Sequence, residues 1–191
     1  MPPSRRPGQR AGLAPDDVLA AARALAATGG VAAVSMRSLA AALGVAPNAL
    51  YSHFADKQAV LDALLDALLG EIPSPDATRG DWRTKLLALL EASRRVVVAH
   101  PELITQFLSR PGAGPNAQRL GAAMLALLAR AGVTGRAAQD ALQILLIYTL
   151  GFAAHEAPRR LRAPHAGGRH PDDATFRRGL GWLLDGIVAG S

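Results

Sequence analysis

The sequence predicts an all-α protein with about nine helices in 191 residues. Apolar residues recur at spacings of three and four along most of the chain, and no stretch has a convincing strand pattern. Prolines and glycines interrupt this periodicity at intervals and so divide it into separate helices. We expect four helices before a Pro- and Gly-rich boundary at residues 70–81, and five helices after it.

The first predicted helix begins at Pro15 and ends at about Thr28. Val18, Leu19, Ala22, Leu25 and Ala26 lie on one face of it, and two aspartates occupy its first turn, where the helix dipole favours negative charge. The pair Gly29-Gly30 is expected to stop this helix. It should pack across the next two helices and complete a three-helix unit.

The stretch from Ser35 to Lys57, SMRSLAAALGVAPNALYSHFADK, predicts two short helices joined by a tight turn. Ser35 is a good N-cap for a helix from Met36 to Leu43, and Gly44 suits the left-handed turn that follows it. Pro47 then fits the first turn of a second helix that runs to His53. The outward face of this second helix is small and polar, which suits insertion into a DNA major groove.

This stretch resembles the N-terminal helix-turn-helix of the TetR family of bacterial transcriptional regulators. The shared pattern is a polar cap, Arg37, Leu39-Ala40, Leu43-Gly44-Val45, then Leu50-Tyr51-Ser52-His53-Phe54 and Lys57. The resemblance is good from Leu13 to Leu69, whereas the rest of the chain agrees only in being helical. Ala46 departs from the pattern, because family members often have a capping Ser or Thr at this position.

The resemblance implies a set of DNA-binding residues at both ends of the recognition helix. Tyr51, His53 and Lys57 are similar to phosphate-contacting residues of the family, and Arg37 is expected to reach a base edge or a phosphate. The alternatives are an exposed helix arginine at Arg37 and half-buried packing at Tyr51. The expected DNA-binding set is Ser35, Arg37, Pro47, Asn48, Ala49, Tyr51, Ser52, His53 and Lys57.

The formal net charge of +6 favours attraction to a polyanion, and a membrane surface or RNA would satisfy it equally well. Residues 1–12 form a Pro-, Gly- and Arg-rich segment that is expected to be disordered. It is either a solvated tail or an arm whose Arg5, Arg6 and Arg10 bind a minor groove or phosphates. The expected DNA-binding domain covers residues 13–72.

The fourth helix is predicted from Lys57 to about Leu69, with Asp56 as its N-cap. Residues 73–191 form the second predicted domain, with helices at 82–99, 102–109, 117–131, 135–157 and 174–189. The segment 158–173 is predicted to be a mobile loop, since it is rich in Arg, Pro, Gly and His.

The second domain is expected to bind a small apolar effector, because TetR-like proteins usually hold a ligand cavity between these helices. The same residues would equally well fill a solid core. Its last two helices are expected to pair with those of a second copy as a four-helix bundle, through a stripe of Phe176, Leu180, Leu183 and Ile187. The candidate cavity residues are Leu90, Val97, Gln106, Phe107, Met124, Leu128, Gln143, Tyr148, Phe152 and His155.

No catalytic motif, cofactor motif or metal-ligand spacing is recognisable, so we expect no enzyme, cofactor or metal site. His155, His165 and His170 are close in sequence but lack carboxylate or thiolate partners at ligand spacing. The absence of cysteine suits a reducing cytoplasm. The apolar run at residues 141–154 is short for a bilayer span, and no signal peptide is recognisable, so a cytoplasmic protein without membrane partners is expected.

The resemblance therefore predicts a dimeric, ligand-responsive regulator, most simply a repressor that binds a palindromic double-stranded DNA operator and is released by a small apolar effector. Two alternatives remain: an adaptor of the same fold that binds a partner protein, and a protein that only sequesters a small molecule. The adaptor would not need Arg37, Tyr51, His53 and Lys57 together, and the sequestering protein would bind its ligand without any linkage to DNA.

Overall fold

The computed structural model describes residues 13–109, 114–162 and 171–190. In these ranges the chain forms nine α-helices and one 3₁₀ turn, without any strand, which confirms the predicted all-α class. The helices are α1 Pro15–Ala33, α2 Met36–Leu43, α3 Pro47–Tyr51, α4 Lys57–Gly70, α5 Trp82–Ala99, α6 Ile104–Ser109, α7 Pro115–Arg130, α8 Gly135–Arg162 and α9 Pro171–Ala189.

The chain divides into two compact units, the first ending at Leu64 and the second beginning at Leu65. Helix α4 therefore contributes residues to both units. The predicted arm at residues 1–12, the loop residues 110–113 and the histidines at 165 and 170 lie outside the described residues.

In the first unit, local sequence signals set the helix ends. The backbone leaves helical geometry at Gly29 and at Gly30, where φ is 67°, so α1 is kinked where its end was predicted. The Asp56 carboxylate accepts a hydrogen bond of 2.8 Å from the Ala59 N–H and caps α4, as its position predicts. Buried residues of four helices form the core of this unit: Val18, Ala22, Ala26, Leu39, Ala40, Leu50, Val60, Leu61 and Leu64.

Helix α8 is longer than predicted, because it continues through Pro158 to Arg162. A proline inside a helix removes one backbone hydrogen bond, yet packing can hold the helix together beyond it. Glu156 and Ala157 just before the proline are completely or almost completely buried, and this packing explains why the helix does not end there. Helix α9 likewise begins at Pro171, so the loop predicted at 158–173 is wrong at both ends.

The second unit is built around α5, which packs along α8 and also contacts α7 and α9. Arg94 of α5 is only 3 % exposed, and its Nη1 lies 2.7 Å from Oε2 of the fully buried Glu156 on α8. Its Nη2 also pairs with Asp173 at the start of α9. The guanidinium lies 4.6 Å from the centroid of the Phe176 ring, so one cation joins three helices.

The predicted dimer stripe is wrong in part. Phe176 and Leu180 are fully buried in the core of the second unit and are not available to a second copy. The physical reason is that α9 turns this face towards α5 and α8, where Phe176 stacks on Tyr148 with ring centroids 5.4 Å apart. Leu183 and Ile187 are only partly buried and remain predictions.

Helix α8 contains a 25-residue segment, Gly135–Arg159, that is long and apolar enough to cross a membrane by length and composition. One side of this segment faces the interior, where Ala141, Leu145, Thr149 and Ala153 are buried. The large apolar residues Ile144 and Ile147 on another side are 45 % and 62 % exposed. The protomer alone thus leaves one apolar face of α8 uncovered.

Candidate DNA-binding surface and effector cavity

The turn between α2 and α3 is fixed by hydrogen bonds that the sequence predicts. The Ser35 hydroxyl accepts a bond of 3.0 Å from the Ser38 N–H, and the Ser38 hydroxyl accepts one of 2.9 Å from the Ser35 N–H. At the other end Gly44 has φ of 65°, and the Val45 N–H returns to the Ala40 carbonyl at 3.0 Å. The Ser35 hydroxyl is therefore part of the α2 cap, and its predicted DNA contact stays a prediction.

Helix α3 has only five residues and ends at Tyr51, two residues before the predicted end. Ala46 makes no side-chain cap, so the helix begins on Pro47 and on a bond of 2.9 Å from the Ala49 N–H to the Ala46 carbonyl. The Ser52 hydroxyl donates to the Ala49 carbonyl at 2.8 Å, which satisfies its proton within the turn. Ser52 can therefore offer DNA only an acceptor in this arrangement.

Several predicted DNA-binding side chains are exposed and uncommitted. Within the described part of the chain, the side chains of Arg37, Asn48 and His53 have no hydrogen-bond partner. Tyr51 is 53 % exposed although it follows the fully buried Leu50, so α3 has one side anchored in the core and another side open. Recognition of bases or phosphates requires polar side chains that are held in place and are free to form hydrogen bonds with DNA.

Lys57 has a role that its sequence position does not reveal. Its ammonium group donates a hydrogen bond of 2.8 Å to the Val31 carbonyl near the end of α1, and the side chain is half-buried. This bond connects the start of α4 to the end of α1 within the first unit. Two N–H donors of the ammonium remain for phosphate, so Lys57→Ala would remove a structural bond together with any DNA contact.

The second unit contains a cavity of about 120 Å³ between four of its helices and the end of α4. Its polar groups are the hydroxyls of Ser93 and Thr149, which donate to the Leu89 and Leu145 carbonyls of their own helices. Among the described residues that line the cavity, none is ionisable. The lining residues are Leu69, Ser93, Val97, Phe107, Ala117, Leu120, Gly121, Met124, Leu146, Thr149 and Leu150.

An open groove of about 600 Å³ lies on the other side of Leu146 and Leu150, which line both spaces. The groove has an apolar floor, and its polar rim carries Gln143 and the salt-bridged pair Arg136 and Asp140. The two spaces are therefore separated by the thickness of α8.

Three of the ten predicted cavity residues, Val97, Phe107 and Met124, line the cavity, and Gln143 lines the groove. Leu90 and Leu128 are fully buried in the core of the second unit and line neither space. Tyr148 and Phe152 pack with Phe176 beneath Arg94 and also line neither space, so the cavity role of these four residues stays a prediction. Gln106 and the exposed His155 line neither space, since helical rotation turns them away from both.

Tyr148 illustrates the difference between cavity and core. Its hydroxyl donates a hydrogen bond of 3.2 Å to the Phe176 carbonyl. A Cβ added at Gly179 would lie 2.0 Å from the Tyr148 hydroxyl oxygen. Partial burial raises the pKa of Tyr148 above its ordinary value, while nearby Arg94 acts in the opposite direction. Gly179 therefore provides the space that the Tyr148 side chain occupies in the protomer.

Two family models match the chain. The model for "Bacterial regulatory proteins, tetR family" matches residues 18–64, and the model for "Tetracyclin repressor-like, C-terminal domain" matches residues 74–172. The first covers the helix-turn-helix, and the second covers the helices that surround the cavity.

Similar proteins agree with these matches. The tetracycline repressor protein class A from transposon 1721 of Escherichia coli is 31% identical over 198 residues, which covers 92% of this chain and 91% of that protein. A structure of BioQ with its natural double-stranded DNA operator has a TM-score of 0.73 at 31% identity, covering 93% of this chain and 99% of BioQ. A TetR variant from Acinetobacter baumannii in complex with minocycline has a TM-score of 0.73 at 27% identity, with coverage of 93% and 96%. With both of its units matched, the chain belongs to the TetR family of bacterial DNA-binding transcriptional regulators.

Proposed function

We propose that this protein is a cytoplasmic repressor that binds a palindromic operator as a dimer and is released when a small uncharged ligand enters the second unit. The observation that carries the proposal is the open side of α3, where exposed groups stand on a helix anchored by Leu50. Family membership supports the same reading. We assign the protein no enzymatic activity.

The proposed DNA contacts fall into two groups. Arg37 and Asn48 are candidates for reading base edges, because their side chains carry several donors and are uncommitted in the protomer. Tyr51, His53 and Lys57 are proposed to bind phosphates, and Pro47 and Ala49 allow close approach of the helix to the groove. Ser35 acts indirectly, by capping the helix that holds Arg37.

We expect Arg37→Ala to weaken binding to a selected operator by about 1–3 kcal/mol, because a bidentate arginine–guanine pair has about that value. Binding to random duplex should change less. The measurement is a titration of both duplexes across a salt series, using a palindrome selected from random DNA by the purified protein. Arg95→Ala, which removes an exposed arginine from α5 in the second unit, is the matched control. If Arg37→Ala lowers the affinity for both duplexes equally, Arg37 contacts only the DNA phosphates and does not read a base.

The ligand is proposed to be uncharged and mainly apolar, with hydrogen-bond donors rather than acceptors. The cavity has no ionisable lining residue among those described, so an anionic or cationic group there would lose its hydration without compensation. The Ser93 and Thr149 protons are already used within their helices, which leaves only lone pairs facing a ligand. A cavity of about 120 Å³ accommodates roughly one aromatic ring, since an engineered cavity of about 150 Å³ binds benzene.

Gly121 provides a direct test of this cavity, because a Cβ built on it meets no atom within 4 Å. We expect Gly121→Ala to raise the free energy of unfolding by up to about 1 kcal/mol, since alanine is the better helix former. We expect the wild-type protein to bind phenol and toluene in preference to benzoate. The leucine side chain of Gly121→Leu should extend into the cavity and abolish binding of phenol and toluene. Calorimetric titration of each compound measures this. Tighter binding of benzoate than of phenol would contradict the assignment.

The dimer is proposed to form through the exposed faces of α8 and α9. Ile147 on α8 and Trp182 on α9 are 62 % and 70 % exposed, and these two helices pack against each other in the protomer. Large apolar side chains that remain this exposed commonly mark an interaction surface. Leu183 and Ile187 are partly buried on α9 and stay predicted members of the interface.

A further inference from the structure

Asp66 on α4 binds the first turn of α7, fifty residues away along the chain. One carboxylate oxygen accepts a hydrogen bond of 3.0 Å from the Ala117 N–H. The other accepts bonds of 3.2 and 3.1 Å from the backbone N–H and side-chain amide of Asn116. Asp66 is only 8 % exposed, so these bonds are largely shielded from water.

Helix α7 depends on this carboxylate, because it has no cap of its own. Its N-cap residue is Gly114, which has no side chain to accept from the first amides. Asp81, which also caps a helix in this unit, accepts a hydrogen bond of 2.7 Å from the Thr84 N–H of the helix that it precedes. Asp66 differs from Asp81 because it caps a helix to which it does not belong, and so it joins two helices.

Close packing around Asp66 leaves little room for the two helices to separate or slide. A Cβ built on Gly114 would lie 2.2 Å from the Asp66 Cγ, and one on Gly70 would lie 3.0 Å from the Asn116 side-chain nitrogen. A second bond of 3.2 Å runs from Arg119 of α7 to the Ile72 carbonyl just after α4. The end of α4 and the start of α7 therefore move most readily as one body.

The first turns of α7 also form one wall of the cavity, through Ala117, Leu120, Gly121 and Met124. Helix α4 begins at Lys57 in the first unit and reaches the same cavity at Leu69. We propose that Asp66 is the positioning residue that transmits a displacement of the α7 cavity wall to α4, and thereby sets the response of DNA binding to cavity occupancy. This proposal rests on the regulatory function proposed above.

The experiment uses an occupant built into the protein, so that it needs no identified ligand. Gly121→Trp places a bulky side chain at the cavity wall of α7 and should force that wall outward. This substitution is combined with each of three others in turn. Asp66→Ala removes the carboxylate, and Gly114→Ala displaces Asp66 sterically. Asp81→Ala is the control, because it removes a helix cap elsewhere in the same unit. Two quantities are measured on the full chain: hydrogen exchange of the amides at residues 66–72, and affinity for the selected palindromic duplex.

In the otherwise wild-type protein and in the Asp81→Ala protein, Gly121→Trp should increase exchange at residues 66–72 and weaken duplex binding by about five-fold or more. In the Asp66→Ala and Gly114→Ala proteins, the same Trp substitution should leave both quantities almost unchanged. Comparing with and without Trp in each background removes the simple destabilisation caused by losing a cap.

Equal effects of Gly121→Trp in all four backgrounds would overturn the role of Asp66, as would the absence of any effect in the wild-type background. If the protein binds no duplex at all, the proposed function fails. The exchange measurement still decides in that case whether Asp66 transmits the displacement.

Discussion

Replacing Arg94 with methionine is expected to destabilise the second unit by about 3–5 kcal/mol, the usual effect of removing one partner from a buried ion pair. Glu156 is fully buried and would lose the guanidinium that lies 2.7 Å from its carboxylate. Asp173 and the face of the Phe176 ring would lose the same partner.

The measurement is urea unfolding followed by tryptophan fluorescence at fixed protein concentration. Both tryptophans, Trp82 and Trp182, belong to the second unit, so their emission reports on the unit that contains Arg94. Arg95→Met is the matched control, because Arg95 is the exposed neighbour on the same helix, and it should change stability by less than about 0.5 kcal/mol.

A second variant separates charge from packing at this site. Arg94→Met combined with Glu156→Leu removes both buried charges, and it should recover much of the lost stability, since apolar replacements of a whole buried pair are often neutral. A double variant as unstable as Arg94→Met would show that packing of the guanidinium on Phe176, rather than the isolated Glu156 charge, dominates. A single variant as stable as wild type would contradict the importance of the pair altogether.

Ile147→Arg is expected to convert the dimer to a monomer and to lower affinity for a palindromic operator by about 10³-fold, towards the level of non-specific binding. A cation on the exposed apolar face of α8 would face the same cation across a two-fold axis, and both would lose water on association. A monomer presents one recognition helix and so reads half of the palindrome. Sedimentation velocity and duplex titration measure the two effects.

Ala126→Arg provides the control, because it adds the same charge at an exposed position of α7, a helix on which no large apolar residue is exposed among those described. It should remain dimeric and bind the operator as wild type does. If Ile147→Arg also remains dimeric, the interface lies elsewhere. A monomeric variant that keeps full operator affinity would contradict the dimeric mode of binding.

Most of the first unit could be predicted from the sequence, because its structure is set by signals that act over a few residues. Ser35 and Asp56 cap helices whose amides are three residues away, and Gly44 takes the positive φ expected of it. The exception is Lys57, whose bond to the Val31 carbonyl spans 26 residues of sequence and therefore left no local pattern.

In the second unit the sequence located the helices but not their rotations. The apolar stripe on α9 predicted contact with a second copy, but Phe176 and Leu180 face the interior of the protomer. A signal for the buried charges did exist, since Arg94 lies at helical spacing between the buried Leu90 and Val97. A charge at a core position predicts a buried partner, but helical spacing does not identify that partner.

By itself, the sequence determined the all-α class, the helix-turn-helix and the family, because periodicity, capping residues and the recognition motif are all local properties of the chain. Only the tertiary structure decided the partners of the buried charges and the location of the cavity. The Arg94–Glu156 pair joins residues 62 apart, and the bond from Ala117 to Asp66 joins residues 51 apart. Such pairs form only when packing sets the rotation of each helix, and that packing depends on the shapes of many side chains at once.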